Sequence, residues 1–210
     1  MKTFFLRWRK VFGFTKVIIF LFLAFPALSQ SSSQVMRAQK IANHFAAIKT
    51  MTGDFIQFSP KGKITEGKFY LERPGKIRFS YKKWPLQIIA DGQFVGIHNR
   101  VLNTWNFSKL SQTPMKFLLS DKIDLSSGRL LDFHEYPGAV MMVLRDKTIG
   151  RGQIRMVFDS KSYVLRQWTI VDQQNLETTV QIMNVRTAVR FADGMFKLPY
   201  KNVSVSHHRN

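Results

Sequence analysis

The stretch GKFYLERPGKIRFSY, residues 67–81, carries the clearest structural pattern of the chain. In its second half, apolar Ile77, Phe79 and Tyr81 alternate with polar or basic residues. Successive side chains of a strand point to opposite faces, so this alternation predicts a strand with one buried face. The first half of the stretch belongs to a further strand, predicted over 64–73.

The same period of two recurs along most of the chain outside this stretch. The predicted strands cover residues 55–58, 64–73, 77–82, 86–90, 93–98, 103–107, 130–135, 139–145, 153–159, 164–171 and 178–186. An amphipathic helix over 35–50 is predicted before them, because Ile41, Phe45 and Ile48 lie four and three residues apart. The fold class is therefore α+β, mainly antiparallel β, in a sheet of about eleven strands that must curl.

The alternation is interrupted after the sixth strand. A Thr-Pro pair at 113–114 precedes Met115, Leu118 and Leu119, which predicts a short helix with proline at its first position. A second short helix is predicted over 123–126.

The first 29 residues have the character of a signal peptide. Five Lys and Arg residues and no acid accompany an apolar run over 17–25, and the small residues Ala27 and Ser29 follow it. We expect cleavage after Ser29, with an uncleaved membrane anchor as the alternative; the run is shorter than the about 20 residues that span a bilayer. The rest divides into a flexible start (30–34), a single domain (35–200) and a polar tail (201–210).

The chain is strongly basic and contains no cysteine. Its 210 residues carry a formal charge of +19, and 27 Lys and Arg against 13 acids, or +14, would remain after the leader. Nucleic acid, acidic polymers and anionic membranes all suit such a charge, but export argues against nucleic acid. The cations alternate along the strands, which indicates a solvated sheet face and a transient contact with anionic lipid.

Motifs for catalysis are missing from the sequence. It has no G-x-S-x-G elbow, H-E-x-x-H, Walker loop or G-x-G-x-x-G. Asp121 and Asp124 flank a predicted helix, where acids commonly stabilise the N-terminus. The histidines are scattered singles except for a pair in the tail: His44, His98, His134 and His207-His208. We therefore expect no enzyme activity, no cofactor and no metal site.

Five motifs appear in an order that resembles the periplasmic outer-membrane lipoprotein carrier family (LolA). They are GDFIQ (53–57), GKFYLERPG (67–75), ADG (90–92), QTPM (112–115) and FKLP (196–199). The resemblance extends from about Val35 to Pro199. It implies a periplasmic protein with an incomplete β-barrel, whose apolar concave face lies under a helical lid and accepts lipoprotein acyl chains.

The resemblance also implies partners. These are acylated lipoproteins as cargo, an inner-membrane lipoprotein-releasing transporter as donor, and an outer-membrane acceptor if one is present. We expect the carrier itself to be a monomer.

The resemblance gives Arg73 a specific role, because the arginine at this position of the family holds the lid shut through hydrogen bonds. Strand parity independently places Arg73 on the same face as Phe69 and Leu71. A guanidinium on an apolar face is costly unless its donors find acceptors, and carbonyls of a lid would supply them. The alternative is an arginine at a strand end that extends into water.

The expected acyl-binding set follows from parity and the lid. Its sheet members are Phe69, Leu71, Ile77, Phe79 and Tyr81, and its lid members are Met115, Leu118 and Leu119. A competing hypothesis is a periplasmic sensor or binding module of the same fold for another lipid or a polyanion. Binding by charge would weaken steeply with salt, whereas acyl burial would not. A hydrolase with an unrecognised site is a third possibility.

Overall fold

A computed structural model describes residues 32–126 and 128–200. The predicted leader, its cleavage site and the polar tail with His207-His208 lie outside these residues. Two α-helices, α1 (Ser32–Ala47) and α2 (Met115–Leu119), accompany eleven strands. The strands are β1 (Thr50–Phe58), β2 (Ile64–Glu72), β3 (Lys76–Tyr81), β4 (Leu86–Asp91), β5 (Phe94–Asn99), β6 (Thr104–Lys109), β7 (Leu130–Tyr136), β8 (Ala139–Arg145), β9 (Gln153–Asp159), β10 (Leu165–Val171) and β11 (Glu177–Thr187). Short 3₁₀ turns occur at Leu110–Gln112 and Lys147–Ile149.

The strands form one antiparallel sheet in the order β6-β5-β4-β3-β2-β1-β11-β10-β9-β8-β7. The edge strands β6 and β7 do not pair with each other, so the curled sheet is an incomplete barrel. The segment that joins these two edges contains the first 3₁₀ turn and α2, and it forms the lid. The predicted fold class, an open antiparallel barrel with a helical lid, is confirmed.

Helix α1 lies inside the curve of the sheet. Its buried residues include Ile41 and Phe45, and the Phe45 ring lies 5.6 Å from that of Phe158 in an edge-to-face contact. The helix begins at Ser32, so residues 32–34, expected to be flexible, form its first turn. It ends at Ala47, earlier than predicted.

Strand β1 is longer than the sequence indicates, because it begins at Thr50 rather than Phe55. It is the central strand and pairs along its length with both β2 and β11. Gly53 allows this close approach: a Cβ there would lie 2.7 Å from the Met183 carbonyl oxygen and 2.9 Å from the Phe69 ring. Glycine usually weakens a strand, but at position 53 no larger residue would fit between the neighbouring strands.

The convex face of the sheet is covered by residues 188–200, which follow β11 and are called the strap below. Phe196 and Leu198 of the strap form a second buried cluster with Ile89 of β4. A Cβ at Gly96 would lie 2.7 Å from Leu198, so glycine makes room for the strap. The expectation of a solvated sheet face is therefore wrong over this part of the sheet.

The helix predicted over 123–126 is also wrong, since this segment is not helical. The amide of Gln39 in α1 donates to the Ile123 carbonyl at 2.7 Å and accepts from the Leu125 N–H at 3.0 Å. One side chain thus bonds two alternate backbone groups, which holds the segment extended. Among the described residues, no helix is both long and apolar enough to cross a bilayer.

Candidate functional site

The concave face carries the five sheet residues expected to bind acyl chains. Strands β2 and β3 pair so that Phe69 lies opposite Phe79 and Leu71 opposite Ile77. Tyr81 lies opposite Gly67, one step further along the same face. All five side chains are at most 4% exposed. The structure therefore brings these side chains together on one buried surface.

The lid and α1 fill the space above this surface. Leu118 and Leu119 of α2 are 0% and 1% exposed, Phe117 is also buried, and Met115 is half-buried at the start of the helix. Together with α1 they belong to one continuous hydrophobic cluster with the sheet. The lid implied by the resemblance is therefore closed in this structure, and the space beneath it is filled, so an acyl chain would have to displace these covering side chains.

Arg73, just beyond the end of β2, bonds two other segments of the backbone through three carbonyls. Its Nε donates to the Ser120 carbonyl and its Nη2 to the Leu118 carbonyl, each at 2.9 Å, while Nη1 donates to the carbonyl of Ile48. The first two acceptors belong to the C-terminal end of the lid helix, and the third follows α1. The predicted carbonyl partners are thus present, and the side chain does not extend into water.

The guanidinium is buried yet charged. Arg73 is 5% exposed, and it lies over the Phe45 ring at 4.2 Å from the ring centre. Desolvation lowers the pKa of Arg73 to about 10, against a smaller opposite effect of Asp121. The group therefore stays protonated at neutral pH. Its charge is compensated by carbonyl dipoles and by a ring face rather than by a buried carboxylate.

A second tie holds the lid at its other side and was missed by the sequence reasoning. Lys116 of α2 forms an ion pair with Asp146 at 2.9 Å and donates to the Thr148 hydroxyl at 3.2 Å. Hydrogen bonds from Lys116 and Thr148 hold the pKa of Asp146 well below its usual range. Arg129 adds a longer contact to Asp146 at 3.5 Å. No motif marks this pair in the sequence, because its members are thirty residues apart.

A row of aromatic rings leads from Tyr81 into the interior. Phe55 contacts Tyr81 and Phe79 edge-to-face with ring centres 5.1 Å apart in both pairs, and Phe79 lies 6.1 Å from Trp168. Tyr81 adjoins a cavity of about 480 Å³ that Trp84 also lines. The Tyr81 hydroxyl donates to the Gln57 side chain at 2.6 Å, and burial raises the pKa of Tyr81. Aromatic side chains therefore continue from the interior to the cavity at the margin of the site.

The residues considered for catalysis are dispersed. His98 stacks on Trp105 at 4.3 Å, His44 meets Tyr163 edge-on, and His134 contacts Asp132 at 2.9 Å. Asp124 pairs with Arg129 at 3.0 Å, and Asp121 is exposed. The described part of the chain brings no three His, Asp or Glu side chains together as candidate metal ligands.

An incomplete antiparallel barrel with a helical lid over an apolar concave face defines a binding fold of the lipoprotein-carrier type. Residues 46–199 match the family described as outer membrane lipoprotein carrier protein LolA. The chain belongs to this family, which confirms the resemblance drawn from the five motifs. The family is described as that of a carrier, a binding function rather than a catalytic one.

Individual relatives are distant. An outer-membrane lipoprotein carrier protein of Alkalilimnicola ehrlichii is 24% identical over 183 residues, which cover 79% of this chain and 85% of that protein. An uncharacterized protein of Rickettsia prowazekii is 22% identical over 193 residues, or 91% and 88% of the two chains. A solved putative outer membrane lipoprotein-sorting protein domain from Vibrio parahaemolyticus is 10% identical, with a TM-score of 0.48 over 78% of this chain and 96% of that one.

Proposed function

We propose that this protein is a periplasmic carrier that shields the acyl chains of lipoproteins and ferries them from the inner to the outer membrane. The observation that carries the proposal is the Arg73 latch. A buried guanidinium ties the lid and the end of α1 together over a face made of apolar side chains. Family membership supports the same reading of the site.

A buried cation is a poor device for permanent closure. Apolar side chains alone would hold the lid on the sheet, and burying a charge among them adds a desolvation cost. The cost is offset only when all three carbonyls are in place, so a small displacement of the lid weakens the whole arrangement. A latch of this kind favours two states, one with the lid closed and one with cargo in its place.

The energetics of cargo binding require this competition. Burial of an acyl chain of about 16 carbons is worth roughly 13 kcal/mol at 0.8 kcal/mol per CH₂. Several chains together would exceed the roughly 18–21 kcal/mol limit of non-covalent affinity. Closing the lid over the empty face returns part of this energy on release. The Arg73 latch thus lowers the net affinity to a value that permits transfer.

The proposed pathway starts at an inner-membrane lipoprotein-releasing transporter and ends at an outer-membrane acceptor, if one is present, or at the membrane itself. The leader would direct the chain to the periplasm. A transient contact with anionic lipid accompanies loading or delivery. The carrier acts as a monomer and performs no chemical step.

Mass spectrometry of the protein purified from its own periplasm tests the proposal directly. We expect triacylated proteins to copurify in their intact form. Recovery of phospholipid alone, or of a polyanion whose binding falls steeply with added salt, would contradict the carrier function. It would favour the alternative hypothesis of a periplasmic sensor or binding module. Hydrolysed lipoprotein as the accumulating product would instead support an enzyme.

Arg73→Leu tests the latch within this function. Loss of even one hydrogen bond to a charged group is worth about 1.5–3 kcal/mol, so we expect release of acylated cargo to acceptor vesicles to slow at least about tenfold. Arg78→Leu is the matched control, because Arg78 lies on the same hairpin but bonds the strap carbonyl of Met195 at 3.0 Å. Equal release by wild type and both variants would refute the role of Arg73.

A further inference from the structure

Three loops meet at the end of the sheet that lies away from the latch. They are residues 59–64, 82–85 and 99–103, called the basic rim below. The Lys63 ammonium lies over the Trp84 ring, 2.9 Å from its centre, which joins the first loop to the second. The Arg100 N–H donates to the Pro85 carbonyl at 2.7 Å and its guanidinium to the Trp84 carbonyl at 3.3 Å, which joins the second to the third. The rim is therefore one continuous surface.

The rim is rich in positive charge. Its three segments contain five cations and no acid: Lys61, Lys63, Lys82, Lys83 and Arg100. Glu66, just beyond the first loop, pairs with Lys82 at 3.6 Å. Among the described residues, Lys61 and Lys83 form no ion pair. Most of this positive charge is thus available to an external partner.

The same surface exposes large apolar side chains. Val101 is 74% exposed, Leu102 67% and Ile64 63%, and Trp84 is 37% exposed beside them. The Asn99 side chain accepts from the N–H groups of Val101 and Leu102 at 3.1 and 3.2 Å. This bond fixes the turn that holds both side chains in solvent. Their exposure is consequently a property of the folded loop.

We propose that the basic rim docks on the surface of an anionic lipid bilayer. Lysines attract acidic headgroups, tryptophan suits the interface, and aliphatic side chains gain energy by entering the acyl boundary. A nucleic acid would use the cations but would give Val101 and Leu102 no apolar environment. The surface thus fits a lipid interface better than a polyanion.

Docking through this rim would also orient the molecule. Lys63, Lys83 and Trp84 line the 480 Å³ cavity that adjoins Tyr81, so this cavity would face the lipid. The Arg73 latch lies at the opposite end of β2 and would stay clear of the membrane. This docking would provide the transient membrane contact of the proposed carrier function, and its biological purpose rests on that function. Binding to lipid can nevertheless be measured without cargo.

Binding of the cargo-free protein to vesicles tests the proposal. Vesicles of phosphatidylcholine alone are compared with vesicles that also contain phosphatidylglycerol. Because each cation near an anionic surface contributes about fivefold in affinity, we expect the Lys61→Gln/Lys83→Gln variant to bind phosphatidylglycerol vesicles at least about tenfold more weakly. The matched control is Lys161→Gln/Arg186→Gln, which removes the same charge from exposed positions at the other end of the strands.

The apolar side chains of the rim are tested by separate variants and by tryptophan fluorescence. Val101→Ser/Leu102→Ser keeps every charge, and we expect it to weaken binding about tenfold or more. Brominated lipid should quench Trp84 in the wild type, and Trp84→Phe should lose most of this quenching, because Trp168 is buried and Trp105 is less exposed and stacks on His98 and Phe107.

Three results would overturn the proposal. One is equal weakening by Lys61→Gln/Lys83→Gln and by the control Lys161→Gln/Arg186→Gln, which would indicate net charge alone. Another is no effect of Val101→Ser/Leu102→Ser, and the third is no vesicle binding at all, which would favour an acidic protein as the partner of the rim. Failure of lipoproteins to copurify would refute the carrier function without affecting any of these measurements.

Discussion

The two faces of the sheet are both covered, but by different means. On the concave face, α1 and the lid pack over Phe69 and its neighbours, and a buried guanidinium is part of the contact. On the convex face, Phe196 and Leu198 of the strap pack on Ile89, and the arginine on that side, Arg78, is only half-buried. An apolar surface needs only apolar cover to be stable. The guanidinium on the concave side is buried, whereas Arg78 bonds the strap from a half-buried position, and we interpret the costlier buried group as a sign of a cover that has to open.

The two covers also differ in their connections to the sheet. The lid depends on Arg73 at one side and on the Lys116–Asp146 pair at the other, with a short helix between them. The strap follows β11 directly and ends with apolar side chains seated against a glycine, Gly96. We interpret the lid as the exchangeable cover and the strap as the permanent one.

The largest expected effect comes from the apolar contacts themselves. Phe69→Ala leaves a cavity in a fully enclosed site and should lower the free energy of unfolding by about 3–5 kcal/mol. Phe196→Ala, at the edge of the strap, should lower it by roughly 1.5–3 kcal/mol. Urea denaturation measures both. Acylated cargo should restore part of the loss at Phe69 and none of the loss at Phe196; an equal rescue would erase the distinction between the covers.

The second effect concerns the Asp146 tie of the lid. Because the pKa of Asp146 is lowered in the folded protein, its contribution is complete above the usual carboxyl pKa of about 4. It is lost as the pH falls below that value toward the folded-state pKa. Asp146→Asn keeps the hydrogen bond to Thr148 but removes the charge, and should cost about 1–2 kcal/mol at neutral pH.

Hydrogen exchange of the lid at decreasing pH separates this tie from general acid unfolding. Wild-type lid amides should lose protection below about pH 4. In Asp146→Asn the lid amides should be less protected already at neutral pH, and their protection should change less as the pH falls. Strap amides should respond alike in both proteins. A lid whose pH dependence is the same in both proteins would show that the ion pair does not hold it.

The smallest effect is expected at the strap. Arg78→Leu removes the hydrogen bonds of a half-buried guanidinium to the Met195 carbonyl and the Gln87 side chain; solvent screening should limit the loss to about 0.5–1 kcal/mol. Thermal unfolding should record this small loss, and the lid should keep its protection from exchange. Opening of the lid in this variant would mean that the two covers are coupled through the β2–β3 hairpin.

Much of the fold could be predicted from local pattern. Alternation between apolar and polar residues located all eleven strands, and parity assigned Phe69, Leu71 and Arg73 to one face. These features depend only on residues two apart, which lie on the same face of any strand. The lid helix was predictable for a similar reason, since proline and a short apolar run occur together there.

The remaining features depend on contacts between distant segments. Gln39 holds residues 123–126 extended across a separation of more than eighty positions, so local propensity gave a helix there. In the sequence Asp146 is an ordinary loop acid, and only the fold brings Lys116 beside it. The strap covers a face whose alternating polar residues indicated solvent. The filled interior could not be predicted either, because strand parity shows which face is apolar but not how closely α1 and the lid pack on it.

Hydrogen exchange of the protein with and without a triacylated lipoprotein tests the central claim most directly. If acyl chains replace the lid on the concave face, amides of residues 110–126 should lose protection on loading, and the Gly75 amide, which donates to the Leu119 carbonyl at 2.9 Å, should lose it with them. The strap, residues 188–200, should exchange at the same rate in both states. A lid that stays protected while the strap opens would contradict the account.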